Sequence, residues 1–255
     1  MWEIYDDLIA AVPESSTVSA CMAGLHWFLV RSESVGLAMA PRECSGTLSR
    51  AGRIAGMKTR DLAHWVKSWN PREAAFGLAA INSALNAPWI VEQSCNISLQ
   101  QMPNEDVFTY LFEELRGKRV AVIGHFPNLE RLAEICELSI LERHPAAGDL
   151  PDPACEYILP AQDVVISTAA TLMNKTLPRL LQLCHNARVV IAGPSTPLTP
   201  LLFNYGIDQL GGLVVEDQEL LWKVVQEGGQ RNIFEHGTRM VKVARVITGN
   251  REEPE

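Results

Sequence analysis

The chain has 255 residues, 47% of them apolar and 20% charged, which suits one large or two modest globular units with a real core. Its net charge of −8 works against nucleic acid, and no run approaches the roughly 18 apolar residues of a membrane span. The first residues lack the basic and apolar segments of a secretory signal; Cys21, Cys44, Cys95, Cys136, Cys155 and Cys184 form no Cys-x-x-Cys pair and read as small apolar residues of a reducing cytoplasm.

Tyr5, Leu8, Ile9 and Val12 fall at i, i+3, i+4 and i+7, predicting a first helix that Pro13 stops. Residues 17–38 switch to period two, with turns at Ala23-Gly24 and Ser32-Glu33-Ser34, so a three-stranded antiparallel meander is expected. Residues 40–58 read as a loop inside a basic stretch (Arg42, Arg50, Arg53, Lys58, Arg60, Lys67, Arg72), which is a solvated face or a wall beside an anion. Thr59 is placed to cap a short helix. Asn70, Pro71 and Glu73 supply N-cap, N1 and N3 signals for the next, whose Glu73 is expected to close a capping box with Asn70. Residues 1–90 thus form a small α+β unit. Residues 91–104 lack periodicity and read as a linker, and Asn104 is expected to cap a helix running to Arg116.

From 118 the pattern changes. Strands are predicted at 119–123, 138–142, 163–167, 188–192, 211–215 and 240–247, with helices near 127–135, 170–184, 198–205 and 217–227. Continuous apolar strands alternating with helices argue for a largely parallel sheet covered on both faces, over residues 105–250. The tail from Arg251 reads as disordered.

Such sheets bind ligands beyond the carboxyl ends of their strands. The first exit is Gly124-His125-Phe126-Pro127, where a histidine able to change charge near neutral pH faces the crevice. Glu142, 18 residues past Gly124, stands where a carboxylate would accept the ribose of a nucleoside cofactor. Asn174 and Lys175 precede a helix that Thr176 is placed to cap, and a lysine beside helix N–H groups suits an anion. The exit Gly193-Pro194-Ser195-Thr196-Pro197 is a stiff, hydroxyl-bearing loop. Walker A and Gly-x-Ser-x-Gly motifs are absent, and no His-x-x-x-His pair offers metal-ligand spacing.

In combination, Lys67-Ser-Trp-Asn70-Pro-Arg-Glu73, Gly77-Leu-Ala-Ala-Ile-Asn82, Gly124-His-Phe-Pro127, Asn174-Lys-Thr-Leu-Pro and Gly193-Pro-Ser-Thr-Pro197 resemble the putative heavy-metal chelation proteins. The resemblance implies an enolase N-terminal-like α+β domain followed by a Rossmann-like three-layer α/β/α domain partly like methyltransferases. It implies a site between the two, acting in heavy-metal chelation or on flavin-, pterin- or siderophore-like compounds. The residues themselves support a first expectation, an enzyme acting on a small anionic heterocycle in that cleft, with His125 as acid/base, Lys175 at the anion site and Glu73 as a second carboxylate, and with Asn70, Gly124, Phe126, Glu142, Asn174, Thr176, Gly193, Ser195 and Thr196 lining the ligand. A non-catalytic carrier of a metal or its chelate, and a transferase using S-adenosylmethionine or a dinucleotide, are the competing expectations. The metal, the substrate and any self-association stay open.

Overall fold

The computed structural model describes residues 2–42 and 47–245. Residues 43–46 (with Cys44), the end of the last expected strand and the tail from Arg251 lie outside them.

Helix α1 (Glu3–Ala11) buries Tyr5, Leu8 and Ile9, as its spacing demands. The meander follows as β1 (Ala20–Ala23), β2 (Trp27–Arg31) and β3 (Val35–Met39), antiparallel throughout. Helix α2 (Thr59–Ala63) is not capped by Thr59; that residue lies inside the helix, and its hydroxyl accepts from Ser16 Oγ at 2.8 Å. Two members of the basic stretch turn back onto α1 and the residues after it: Arg60 donates to the Val12 carbonyl and pairs with Glu14, and Lys67 pairs with Asp6.

Helix α3 (Pro71–Leu85) begins as expected, Asn70 Oδ1 accepting from Arg72 N at 3.0 Å. Every residue from Ala74 to Leu85 is buried, so this helix is apolar all round and runs through the interior. One face meets the meander, where Gly36 admits its backbone. The meander's other face packs on the C-terminal part: Trp27, Leu29, Val35 and Leu37 share a cluster with Leu213, Val215 and Leu221. The expected linker instead opens inside α4 (Pro88–Cys95) and includes a 3-10 turn, Leu99–Gln101. Helix α5 (Val107–Leu111) is capped by Asp106, not Asn104, whose side chain accepts from Met240 N.

The large sheet comprises β4 (Arg119–Ile123), β5 (Glu137–Glu142), β6 (Leu150–Pro151), β7 (Val164–Thr168), β8 (Arg188–Ala192), β9 (Gln209–Val215) and β10 (Thr238–Ala244), ordered β10-β9-β8-β7-β4-β5-β6. All pairs are parallel except β9 with β10. The chain therefore winds outward from β4 in one direction and from β7 in the other, leaving a topological switch between them.

The helices of this part are shorter than the apolar pattern suggests. Helix α6 is only Glu130–Ala133, because Pro127 and the left-handed Asn128 (φ 61°) occupy the expected first turn. After α7 (Cys155–Ile158), the single helix expected over 170–184 is split into α8 (Ala170–Met173) and α9 (Leu177–Leu183) by Lys175 at φ 65°. Residues Pro200–Tyr205 form a 3-10 helix, and α10 (Gln218–Gln226) closes the set. Among the described residues no single helix is long and apolar enough to cross a membrane; the bent pair α3–α4 has the length and composition, but α3 lies inside the protein.

Candidate functional site

The residues singled out in the sequence fall into three groups. The first lies at the switch between β4 and β7. Gly124 has φ 98°, and a Cβ there would sit 2.9 Å from Thr168 Cγ2, so the turn requires glycine. His125 N donates to Glu142 Oε2 at 2.9 Å, and Arg143 N donates to Glu142 Oε1 at 2.8 Å. Glu142 thus uses both oxygens to tie together the two strand exits that a ribose would otherwise face. The His125 ring is held through Nδ1, 3.1 Å from Asp149 Oδ2. Asp149, whose side chain is only 3% exposed, also accepts from Ala146 N and was not foreseen. The Phe126 ring lies within van der Waals reach of both the Gly124 and Gly193 positions. An aromatic ring occupies the close approach that a pyrophosphate needs at such glycines.

A second group forms where the start of α3 meets the α8–α9 break. Glu73 does not close a capping box with Asn70. Its carboxylate accepts from Ser68 Oγ at 2.6 Å and from Ser49 Oγ at 3.2 Å, while Ser68 Oγ accepts from Asn70 N at 3.1 Å. Lys175 Nζ donates to the Ser68 carbonyl and, at 2.6 Å, to that of Met173. The Trp69 ring, 76% exposed, lies 5.7 Å from the same ammonium. Asn174 Oδ1 accepts from both N and Oγ1 of Thr176, an Asx turn that starts α9 and holds Lys175 left-handed; Thr176 makes no cap itself. Burial pushes the Lys175 amine down to about 8, against the pull of its two carbonyl partners.

That shift has a measurable sign. Since the folded value lies below the usual 10.5, the unfolded chain holds more protons between those limits, and stability gains as pH rises through them. Compared with Lys175→Met, the wild type should gain roughly 1 kcal/mol from about pH 7 to about pH 10, after discounting for solvent screening at this half-buried position. Urea midpoints at the two pH values check it; equal differences would mean an ordinarily solvated amine.

The third group is turned inward. Ser195 and Thr196 are buried. Ser195 Oγ accepts from Met39 N at 2.9 Å and the Ser195 carbonyl accepts from Asn82 Nδ2 at 2.9 Å. The Thr196 hydroxyl donates to the Gly193 carbonyl, and the Thr196 carbonyl accepts from Asn86 Nδ2 at 2.8 Å. The hydroxyl loop therefore fastens the sheet to α3 and β3. Asn86 was not singled out in the sequence, where it is one polar residue among several near a helix end.

Residues 106–244 match the DUF364 family model and residues 5–85 the DUF4213 model, both described as putative heavy-metal chelation. The chain belongs to the DUF364 family. A crystal structure of a DUF364 protein of unknown function from Desulfitobacterium hafniense is 39% identical, covers 96% of this chain and 99% of its own, and has a TM-score of 0.89. One from Pyrococcus horikoshii, also of unknown function, is 23% identical over 94% and 98% of the two chains with a TM-score of 0.76, a likeness of fold. An uncharacterized protein of Methanocaldococcus jannaschii is 26% identical over 195 residues, 72% of this chain and 71% of its own.

A resident heavy metal would need several His, Cys, Asp or Glu side chains gathered at one place. Among the described residues no three His, Cys, Asp or Glu side chains come together to hold an ion. The thiols do not suit one either. Burial pushes Cys21, Cys95 and Cys136 up, and raises Cys155 and Cys184 to about 12, whereas a soft ion binds thiolate. His185 is exposed while its neighbour Cys184 is buried, so that adjacent pair makes no chelate. The described donor set does not fit a resident metal ion.

Proposed function

We propose that this DUF364 protein binds and processes a small anionic compound where the start of α3 meets the α8–α9 break, a flavin-, pterin- or siderophore-like chelator being the class that best joins the site to the family description. The observation that carries this reading is Lys175. A lysine is held in a left-handed conformation, its amine brought to about 8 and pinned to the Ser68 carbonyl from the opposite part of the chain. Backbone strain of this kind costs about 1–3 kcal/mol and persists where the surroundings over-determine it. Such an amine exchanges a proton near neutral pH, the Ser68–Glu73 pair offers a second proton acceptor, and the exposed Trp69 ring gives a flat compound a face to stack on. Any metal arrives already held by the compound's own oxygen or nitrogen atoms.

The test is native mass spectrometry of freshly purified protein for a co-purifying compound, followed by titration with flavin mononucleotide and with 2,3-dihydroxybenzoate, alone and as its ferric complex. Lys175→Met and Glu73→Gln are expected to weaken binding about tenfold or more, equivalent to about 1.4 kcal/mol. Unchanged affinity in both variants would remove the junction from consideration.

A further inference from the structure

The sheet face over β8, β9 and β10 holds a cavity that the junction does not use. Its volume is about 390 Å³, within the range of small-molecule sites, and its walls come only from residues 105–242. The local sequence explains the opening. Gly211 on β9 carries no side chain, and Val107 of α5 packs so closely that a Cβ at Gly211 would lie 2.9 Å from it. Helix α5 is only five residues long and continues as a short 3-10 helix over Phe112–Leu115, whose Phe112 also lines the opening. Phe108 and Phe126 close one wall, their rings 4.9 Å apart and inclined at 59°.

The charges on the rim are unevenly committed. Glu105 is held by Lys242 Nζ at 2.9 Å, and Asp106 accepts from Phe108 N, Thr109 N and Thr109 Oγ1 as the cap of α5. Glu235 is the lining carboxylate without a partner among the described residues. Arg131 and Arg231 also line the cavity, and neither has a carboxylate partner among the described residues; Arg131 lies 5.4 Å from the Phe112 ring. Two guanidiniums beside an aromatic wall recognise a flat ring bearing a carboxylate, since the planar fork of arginine matches a carboxylate bidentately and an aromatic face accepts an offset-stacked ring.

We infer that this cavity is a second ligand site, distinct from the junction, that takes a one- or two-ring aromatic carboxylate. The ring lies along Phe126 and Phe108 and the carboxylate meets Arg131 or Arg231. Neither Lys175 nor Glu73 contributes to it, so it stands independently of the reading proposed for the junction.

The test is fluorescence titration of the full-length Lys175→Met variant, in which the junction is disabled, with 6-carboxypterin and with unsubstituted pterin as the neutral counterpart. Saturable one-to-one binding of 6-carboxypterin is expected, weakened about tenfold or more when Phe126→Ala or the pair Arg131→Gln/Arg231→Gln is added. Pterin should bind more weakly and be indifferent to the arginine pair. Retention of 6-carboxypterin affinity when the arginine pair is replaced overturns the assignment. So does the absence of saturable binding in the Lys175→Met parent, whereas binding seen in the wild type alone belongs to the junction. The two arginines are surface side chains, so their variant remains a fair test should Phe126→Ala fold poorly.

Discussion

Gly36→Ala should unfold most of the protein's stability, with a loss of about 4 kcal/mol or more read from urea denaturation. A Cβ at this position on β3 would lie 2.1 Å from Ser83 N and 2.2 Å from the Ala79 carbonyl oxygen. Both obstacles are backbone atoms of α3, so no side-chain rearrangement relieves them, and the helix would have to leave the meander. Gly77→Ala, on the helix's other side, meets Val66 N at 2.0 Å and should behave alike. The contrast is Gly52→Ala, where nothing lies within 4 Å and only the left-handed φ of 80° is penalised, at about 1 kcal/mol. Similar losses in all three variants would mean that α3 does not approach β3 this closely.

Asn86→Ala is the second large effect, a loss of about 3 kcal/mol. This buried amide donates to the Thr196 carbonyl at 2.8 Å and accepts from Leu198 N at 2.8 Å, so it satisfies both directions of one loop from the end of α3. Its removal leaves a buried carbonyl and a buried N–H without partners, which costs more than the bonds themselves contributed. Ser195→Ala, which removes one acceptor from Met39 N, should cost only about 1 kcal/mol. Thermal unfolding of the two variants side by side decides it; equal shifts would put water, rather than the amide, at the Thr196 loop.

The large sheet was legible because its evidence is local. β4, β7 and β8 are short, continuous apolar runs rich in β-branched residues, the pattern of a strand buried on both faces. The start of α3 was legible for the same reason, since Asn70 and Pro71 act on their own neighbours. Expectation and structure part where two local solutions compete and a distant partner chooses. Asn104 and Asp106 can both cap a helix; Met240 engages the first, and the second is left for α5. Glu73 could have closed a capping box, but Ser68 and Ser49 reach its carboxylate. Lys175 gave no sign of a left-handed backbone, because the turn is made by the preceding Asn174.

The candidate residues were legible as chemistry and less so as a place. His125, Gly124, Phe126, Glu142 and Gly193 gather at the strand exits, and Asn70, Glu73, Asn174, Lys175 and Thr176 gather beside α3. Among the described residues no hydrogen bond or ion pair joins the two sets. Ser195 and Thr196 belong to neither, since a strand exit can face a packed helix as readily as a ligand. Asp149 could not have been found, because nothing in its own segment marks the carboxylate that will meet a histidine 24 residues earlier.

One apolar cluster contains Tyr5, Phe28 and Phe76 together with Ile123, Val165 and Ile191, and the Tyr5 hydroxyl donates to the Leu172 carbonyl across it. Proteins that swallow ligands between two lobes part those lobes at a hinge, which requires a boundary that can be wetted cheaply. Here the boundary is the core itself, and hydrating each large apolar side chain in it would cost about 1.5–3 kcal/mol. Opening like a jaw is therefore closed to this molecule. A ligand of the proposed junction site would enter past surface groups such as the exposed Trp69 and the neighbouring loops, which move on the nanosecond-to-microsecond scale, and not through a slower lobe motion.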